Sequence, residues 1–251
     1  MELFAGDDIA KGYSAARPPV HSAVAGQAFA RLGRESRRHR ILDVGCGAGA
    51  STRAAAPWAQ TIVGLDPEVQ MIRSARTVGG GPHYTLGAAE AIPLGADTVD
   101  VLTAAGALNF VDLERFRSEA ARVLVPNGVV VVYDFATGCR SPDAPGLERA
   151  YDEFARRWSR PTDGRHAIDV GVLAAAGFAI RSGESLTVPI AMGADAYVAY
   201  LMTETNVAAA VQRGEPVARV RQWCDERFSP LLIESPVVEF DAWWSIVTPR
   251  S

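Results

Sequence analysis

The residues best suited to chemistry in this 251-residue chain surround one glycine-rich turn, Ile41-Leu-Asp43-Val-Gly45-Cys-Gly47-Ala-Gly49-Ala50. Alternating glycines permit positive φ and let backbone N–H groups approach a ligand that a Cβ would hold off. A second carboxylate, Asp66, closes the next apolar run, Thr61-Ile-Val-Gly-Leu65. At the end of a strand it can accept both hydroxyl protons of a ribose. Together these features predict a nucleotide-type cofactor site.

The surrounding elements must hold that turn between a strand and a helix. Thr61–Leu65, His83–Leu86, Val99–Thr103 and Val129–Tyr133 are short and rich in β-branched residues, which reads as strand. Helical spacing fills 50–59, 67–77 and 112–124 between them. The alternation predicts βαβ units around a mostly parallel sheet covered on both faces. A helical lead-in over 7–33 breaks at Arg17-Pro18-Pro19 and resumes at Val20, and the basic cluster Arg34–Arg40 delivers the chain to the first strand.

Beyond residue 135 the alternation loosens. Gly138, Pro142, Pro145 and Gly146 mark a loop, followed by an amphipathic helix over Leu147–Trp158 and another over Ile168–Ala176 that stops at Gly177. A strand over Phe178–Pro189, helices at 194–213 and 216–228, and a last strand within Val237–Val247 complete the pattern. The long insertion between the last two strands is expected to form a helical cap over the sheet's ligand edge.

Composition narrows the function. The net charge of −4 lacks the strongly basic footprint of a nucleic-acid binder. Cys46, Cys139 and Cys224 are too few and too far apart for a disulfide framework or metal ligation, so a reducing cytoplasmic setting and no metal are expected. The first residues lack an export signal and no run is long and apolar enough to span a bilayer, so no membrane association is expected.

The loop alone leaves the cofactor open. Gly45-x-Gly47-x-x-Ala50 formally meets the dinucleotide fingerprint with alanine in the last place, so the loop and Asp66 suit NAD and S-adenosylmethionine alike. Four blocks in order over residues 41–133 separate them: Leu42-Asp43-Val-Gly45-Cys-Gly47-Ala-Gly49; Gly64-Leu-Asp66-Pro67-Glu68-x-x-Met71-Ile72; Gly87-Ala-Ala89-Glu90-Ala-Ile-Pro93-Leu94 with Asp97-x-x-Asp100; and Arg122-Val-Leu-Val-Pro126-Asn127-Gly128. With these the chain resembles the class I S-adenosylmethionine-dependent methyltransferases, especially the small-molecule group with a UbiE-like core. Val125 and Asn127 depart from the usual lysine and glycine of the last block, and asparagine tolerates positive φ.

The resemblance implies an α/β fold, a doubly wound, Rossmann-like seven-stranded sheet with a helical cap. It divides the chain into a lead-in (1–40), a cofactor-binding core (41–135), a specificity and cap region with the sixth strand (136–235) and a final strand (236–251). It places Asp43 near the methionine amino group, the backbone of Gly45, Gly47 and Gly49 against the methionine and ribose portion, and Asp66 on the ribose hydroxyls. Met71, Ala89 and Glu90 fall beside adenine, and Ala104 near the end of strand four joins the cofactor contacts. A carboxylate as close as Asp43 is a poor neighbour for a pyrophosphate and complements an ammonium.

The lead-in Tyr13-Ser-Ala-Ala-Arg17-Pro18 is similar to a segment that covers the cofactor in relatives acting on small acids. That likeness makes Tyr13 and Arg17 candidates, with Arg17 able to meet a carboxylate through a bidentate pair. A helix end with Tyr13 packed and Arg17 solvated is the plain alternative.

A sulfonium already activates its methyl group, so such an enzyme chiefly aligns an acceptor in line with the carbon–sulfur bond and excludes water. A carboxylate acceptor needs no base, whereas a phenol or alcohol benefits from one. His166, in the variable region after strand five, is the candidate base, with a cap or surface role as its alternative. Asn109 resembles the family position that faces the transferred methyl. Tyr151, Trp158, Tyr197, Tyr200, Met202 and Trp223 read as cap core with some lining a pocket, and Arg156, Arg157, Arg160 and Arg165 could draw in an acidic acceptor.

The leading expectation is methyl transfer to a small organic molecule, at oxygen before nitrogen or carbon. A nicotinamide oxidoreductase and a non-catalytic S-adenosylmethionine-binding protein are its rivals. An RNA methyltransferase fits the acidic balance less well. The accepting molecule and the oligomeric state are not legible.

Overall fold

The computed structural model describes residues 16–33, 39–160 and 167–250. In chain order these form α1 (Val20–Leu32), β1 (His39–Val44), α2 (Ala50–Ala55), β2 (Ala59–Asp66), α3 (Val69–Val78), β3 (His83–Leu86), β4 (Val99–Ala105), α4 (Leu113–Val123) and β5 (Leu124–Phe135). Then follow α5 (Leu147–Arg157), α6 (Val170–Ala175), β6 (Phe178–Ala191), α7 (Ala194–Leu201), α8 (Thr205–Gln212), α9 (Val217–Phe228) and β7 (Val237–Pro249).

The strands make one seven-stranded sheet in the order β3-β2-β1-β4-β5-β7-β6. Pairings from β3 through β5 are parallel, and β7 runs antiparallel to β5. This is the expected doubly wound α/β sheet. The last four residues of β1 are all buried, as a parallel strand covered on both faces requires. Leu42, Val44, Leu65, Leu102, Val130, Val132, Phe116, Val123 and Phe178 belong to one buried core cluster. Strand order reverses between β1 and β4, which neighbour each other although β2 and β3 intervene in sequence. In open α/β sheets that reversal, at the carboxyl ends of the strands, is where ligands bind.

Two compact units divide the chain. One comprises His21–Phe135, Gly164–Leu186 and Ala242–Ser251 and holds the core just described. Gly177 ends α6 with φ 88 as its sequence predicts, and Asn127 takes φ 67 in the turn leading into the central run of β5.

The other unit comprises Met1–Val20, Ala136–Asp163 and Thr187–Asp241. Aromatic rings from α5, α7 and α9 build its interior. Phe154 packs within 5.6–6.4 Å of Trp158, Trp223 and Phe228, and Tyr197 within 5.3 Å of Phe228. The Tyr197 hydroxyl donates to the Gly138 carbonyl at 2.6 Å, which satisfies the one polar atom of a ring with no exposed surface. The single helix expected over 194–213 is two: the Thr203 hydroxyl donates to the Tyr200 carbonyl, and Glu204 turns extended to start α8.

Candidate cofactor site

The glycine turn follows β1 directly. Gly45, Gly47 and Gly49 take φ 65, 53 and 83, the left-handed region. They meet different constraints. A Cβ on Gly45 would collide with Ala107 Cβ, and one on Gly49 would lie 2.5 Å from the Tyr84 hydroxyl. At Gly47 a Cβ would meet nothing within 4 Å. Gly45 and Gly49 therefore pack the loop against its own unit, and Gly47 turns a bare backbone toward open space.

Both carboxylates brace this turn. Asp66 Oδ2 accepts from the Gly47 N–H and Oδ1 from the Glu68 N–H, each at 2.9 Å, so β2 is tied to the loop and to the start of α3. Asp43 has no exposed surface. Its Oδ2 accepts from Ser51 Oγ at 2.6 Å and Thr52 Oγ1 at 2.7 Å, and its Oδ1 from Thr103 Oγ1 at 2.6 Å. No cationic side chain among the described residues pairs with it. Burial pushes the Asp43 carboxyl above its usual range, against the pull of the three hydroxyls. Burial likewise raises Asp66, opposed by the Glu68 and Gly47 N–H groups. Burial, and then the charges of both acids, raise the Cys46 thiol far above its ordinary value, which suits a packing residue.

Residues 42–132 match the family described as "Methyltransferase domain". The chain has the fold of the class I methyltransferases. The matched span covers all four sequence blocks and sets aside the dinucleotide reading of the loop. The chain is 31% identical over 51% of its length to the uncharacterized methyltransferase YcgJ of Bacillus subtilis, covering 50% of that protein. The YcgJ crystal structure shares the fold with a TM-score of 0.55 at 22% identity, over 91% of this chain and 99% of that one. A malonyl-[acyl-carrier protein] O-methyltransferase of Salmonella typhimurium is 33% identical over 47% of this chain and 45% of its own. The ubiquinone/menaquinone biosynthesis C-methyltransferase UbiE of Methylobacterium nodulans is 33% identical over 49% of this chain and 50% of its own. These matches span about half the length of each curated relative.

The structure places Asp43, Gly45, Gly47 and Gly49 in one turn and its preceding strand, with Asp66 tied to Gly47 by the hydrogen bond above. Met71 on α3 and Ala89 after β3 are buried, at 4% and 5% exposure. Glu90 Oε1 accepts from the Asp112 N–H at 3.1 Å, which ties the segment after β3 to the N-cap of α4. Ala104, near the end of β4, has no exposed surface and belongs to the same core cluster as Ala89.

Asn109 lies in the turn after β4, where its amide donates to Asp134 Oδ2 at 2.8 Å and so has a fixed orientation. Arg17 belongs to the unit containing Met1–Val20. There it pairs with Glu204 at 3.5 Å and lies 5.3 Å over the Tyr200 ring. Glu204 is 5% exposed, and a carboxylate so enclosed needs cations beside it; Arg160 supplies a second at 2.7 Å. Tyr13 and His166 lie outside the described residues.

Two features were missed from sequence. The hydroxyl cage of Asp43 left a partial signal, since Ser51 and Thr52 open the helix after the loop, but Thr103 comes from another strand. His21 on α1 places Nδ1 3.0 Å from the buried Tyr133 hydroxyl. Burial and the charges of Asp43 and Asp134 hold that phenol well above its usual pKa, so it stays neutral. The described residues contain no cluster suited to a metal ion, and none of their helices is long and apolar enough to cross a membrane.

Proposed function

We propose that this chain transfers a methyl group from S-adenosylmethionine to a small organic molecule, with oxygen as the accepting atom. The observation that carries the reading is the braced glycine turn: Gly47 faces open space while Asp66 and the caged Asp43 fix the backbone around it. A carboxylate has about four acceptor positions. Asp43 uses three on hydroxyls, which leaves one for an ammonium, and Asp66 keeps one free position on each oxygen for ribose hydroxyls. Met71, Ala89 and Glu90 would flank adenine. Bound there, the cofactor supplies an already activated methyl group.

What remains for the protein is alignment and proton handling. Asn109, oriented by Asp134, would position a polar group of the acceptor. His166 would take the proton of a hydroxyl or phenol, and a carboxylate acceptor would need no base. Oxygen is favoured by the lead-in's likeness to enzymes of small acids and by the Salmonella relative, named an O-methyltransferase. Carbon is the second reading, favoured by the UbiE relative.

The test is transfer of a radiolabelled methyl group to a panel of small acids, phenols, alcohols, amines and enolisable ketones. Label in an ester or ether supports the proposal. Label on carbon selects the second reading. Tight binding of S-adenosylhomocysteine with no transfer to any acceptor favours the non-catalytic reading.

A further inference from the structure

A cavity of about 290 Å³ lies within the unit formed by Met1–Val20, Ala136–Asp163 and Thr187–Asp241, lined by Arg157, Trp158, Ala210, Arg213, Glu215 and Arg219. Three guanidiniums thus face one carboxylate. They come from three elements: Arg157 is the last residue of α5, Arg213 follows α8, and Arg219 lies in the first turn of α9. None of these residues belongs to the glycine turn or to the groups that brace it.

The charge is poorly compensated. Arg219 Nε lies 3.7 Å from Glu215 Oε1, and among the described residues neither Arg157 nor Arg213 has an ion-pair partner. Three cations held around one cavity repel one another, which an exposed side chain avoids by extending into water unless something holds it. Arg157 is held: its guanidinium lies 5.1 Å over the Trp158 ring and 6.0 Å over the Trp223 ring, two rings packed edge-on to each other. Such stacking leaves the planar fork of N–H donors free and lowers the entropy lost when an oxyanion is gripped.

The backbone around the cavity offers little to oppose an anion. The closing carbonyls of α8, from Ala209, Ala210 and Val211, are already taken by the N–H groups of Arg213, Gly214 and Glu215. The twelve-residue α9 follows Pro216 at its N-cap with no side chain capping it, so its positive end adds to the field of the arginines.

We propose that this cavity binds the phosphoryl group of a small soluble ligand. Phosphate monoesters carry about −1.5 to −2 charges near neutral pH, which matches the excess of guanidinium over carboxylate. Arginine meets phosphate oxygens in bidentate pairs. The volume is at the lower end of the roughly 300–1,000 Å³ usual for ligand pockets, which suits a compact molecule. The apolar lining residues, Trp158 and Ala210, are buried, so the lining itself presents charged groups and not an apolar surface.

Calorimetric titration with inorganic phosphate in chloride buffer tests the site without reference to methyl transfer. Saturable one-site binding is expected. In the Arg213→Gln/Arg219→Gln double variant, which alters only exposed side chains, affinity should fall roughly tenfold or more while the melting temperature stays near the parent's. Glu215→Gln should tighten binding several-fold, because it removes the opposing carboxylate and releases Arg219. Acetate at equal concentration should not compete. Absence of saturable binding, an unchanged affinity in the double variant, weaker binding by Glu215→Gln or full competition by acetate would each overturn the proposal. So would capture by phosphatidic acid vesicles of a protein that ignores free phosphate.

Discussion

Thr103 donates its hydroxyl to Asp43 Oδ1 at 2.6 Å, and the two residues are Cα partners in the parallel pairing of β1 with β4. The bond spans the two strands where the sheet order reverses, beside the turn that is the proposed cofactor cradle. An unsupported buried carboxylate there would be costly, and the hydroxyls of Ser51, Thr52 and Thr103 offset its desolvation.

Thr103→Val keeps the shape and removes that donor from an ionised group. A loss of about 2 kcal/mol in unfolding free energy is expected. It should appear as a lower urea midpoint with an unchanged slope. An unaltered midpoint would show that Asp43 does not depend on this hydroxyl.

The glycines should separate by mechanism. Gly49→Ala places a Cβ against the Tyr84 hydroxyl and Arg53 Nη1, at 2.5 and 2.7 Å, besides forcing a left-handed alanine, so stability should fall clearly. Gly47→Ala has no such neighbour and costs only the backbone penalty, about 1–2 kcal/mol. Its main effect should be weaker binding of S-adenosylhomocysteine. Thermal melts and calorimetry on the pair read the two effects independently.

Burial raises the Asp66 carboxyl above its ordinary value of 3.8, so the folded chain holds that proton more tightly than the unfolded one. Its contribution to stability is present below the ordinary carboxylate range and is lost as pH rises through the raised value. Ribose binding runs the opposite way, because the ionised carboxylate is the better acceptor. Affinity for S-adenosylhomocysteine should climb with pH across the mildly acidic range and then level off. Asp66→Asn should bind roughly tenfold more weakly or worse, with most of that slope gone.

Asn109→Ala removes the amide oriented by Asp134. If Asn109 positions the acceptor, kcat should fall roughly tenfold or more while affinity for S-adenosylhomocysteine stays within about twofold. Equal losses in both would assign Asn109 to the cofactor cradle.

Much of the sheet was legible because parallel strands buried on both faces read as short β-branched runs, as Val129–Val132 does within β5. The positive φ of Asn127 was legible too, since few other residues accept it. The break in 194–213 was hidden: apolar residues continue through it, and the Thr203 hydroxyl that turns the backbone is not distinctive in sequence. Side-chain partnerships were hidden for a different reason. Thr103 reaches Asp43 only through strand register, and Arg17 meets Glu204 only after residues far apart in sequence fold into one unit.

The account rests on the braced turn at Gly45–Gly49 holding S-adenosylmethionine. Calorimetric titration with S-adenosylhomocysteine, set beside NADH, tests it most directly. One-site binding of the homocysteine product, strongly weakened by Asp66→Asn, with no response to NADH, is the predicted result. Tight NADH binding with no response to S-adenosylhomocysteine would contradict it.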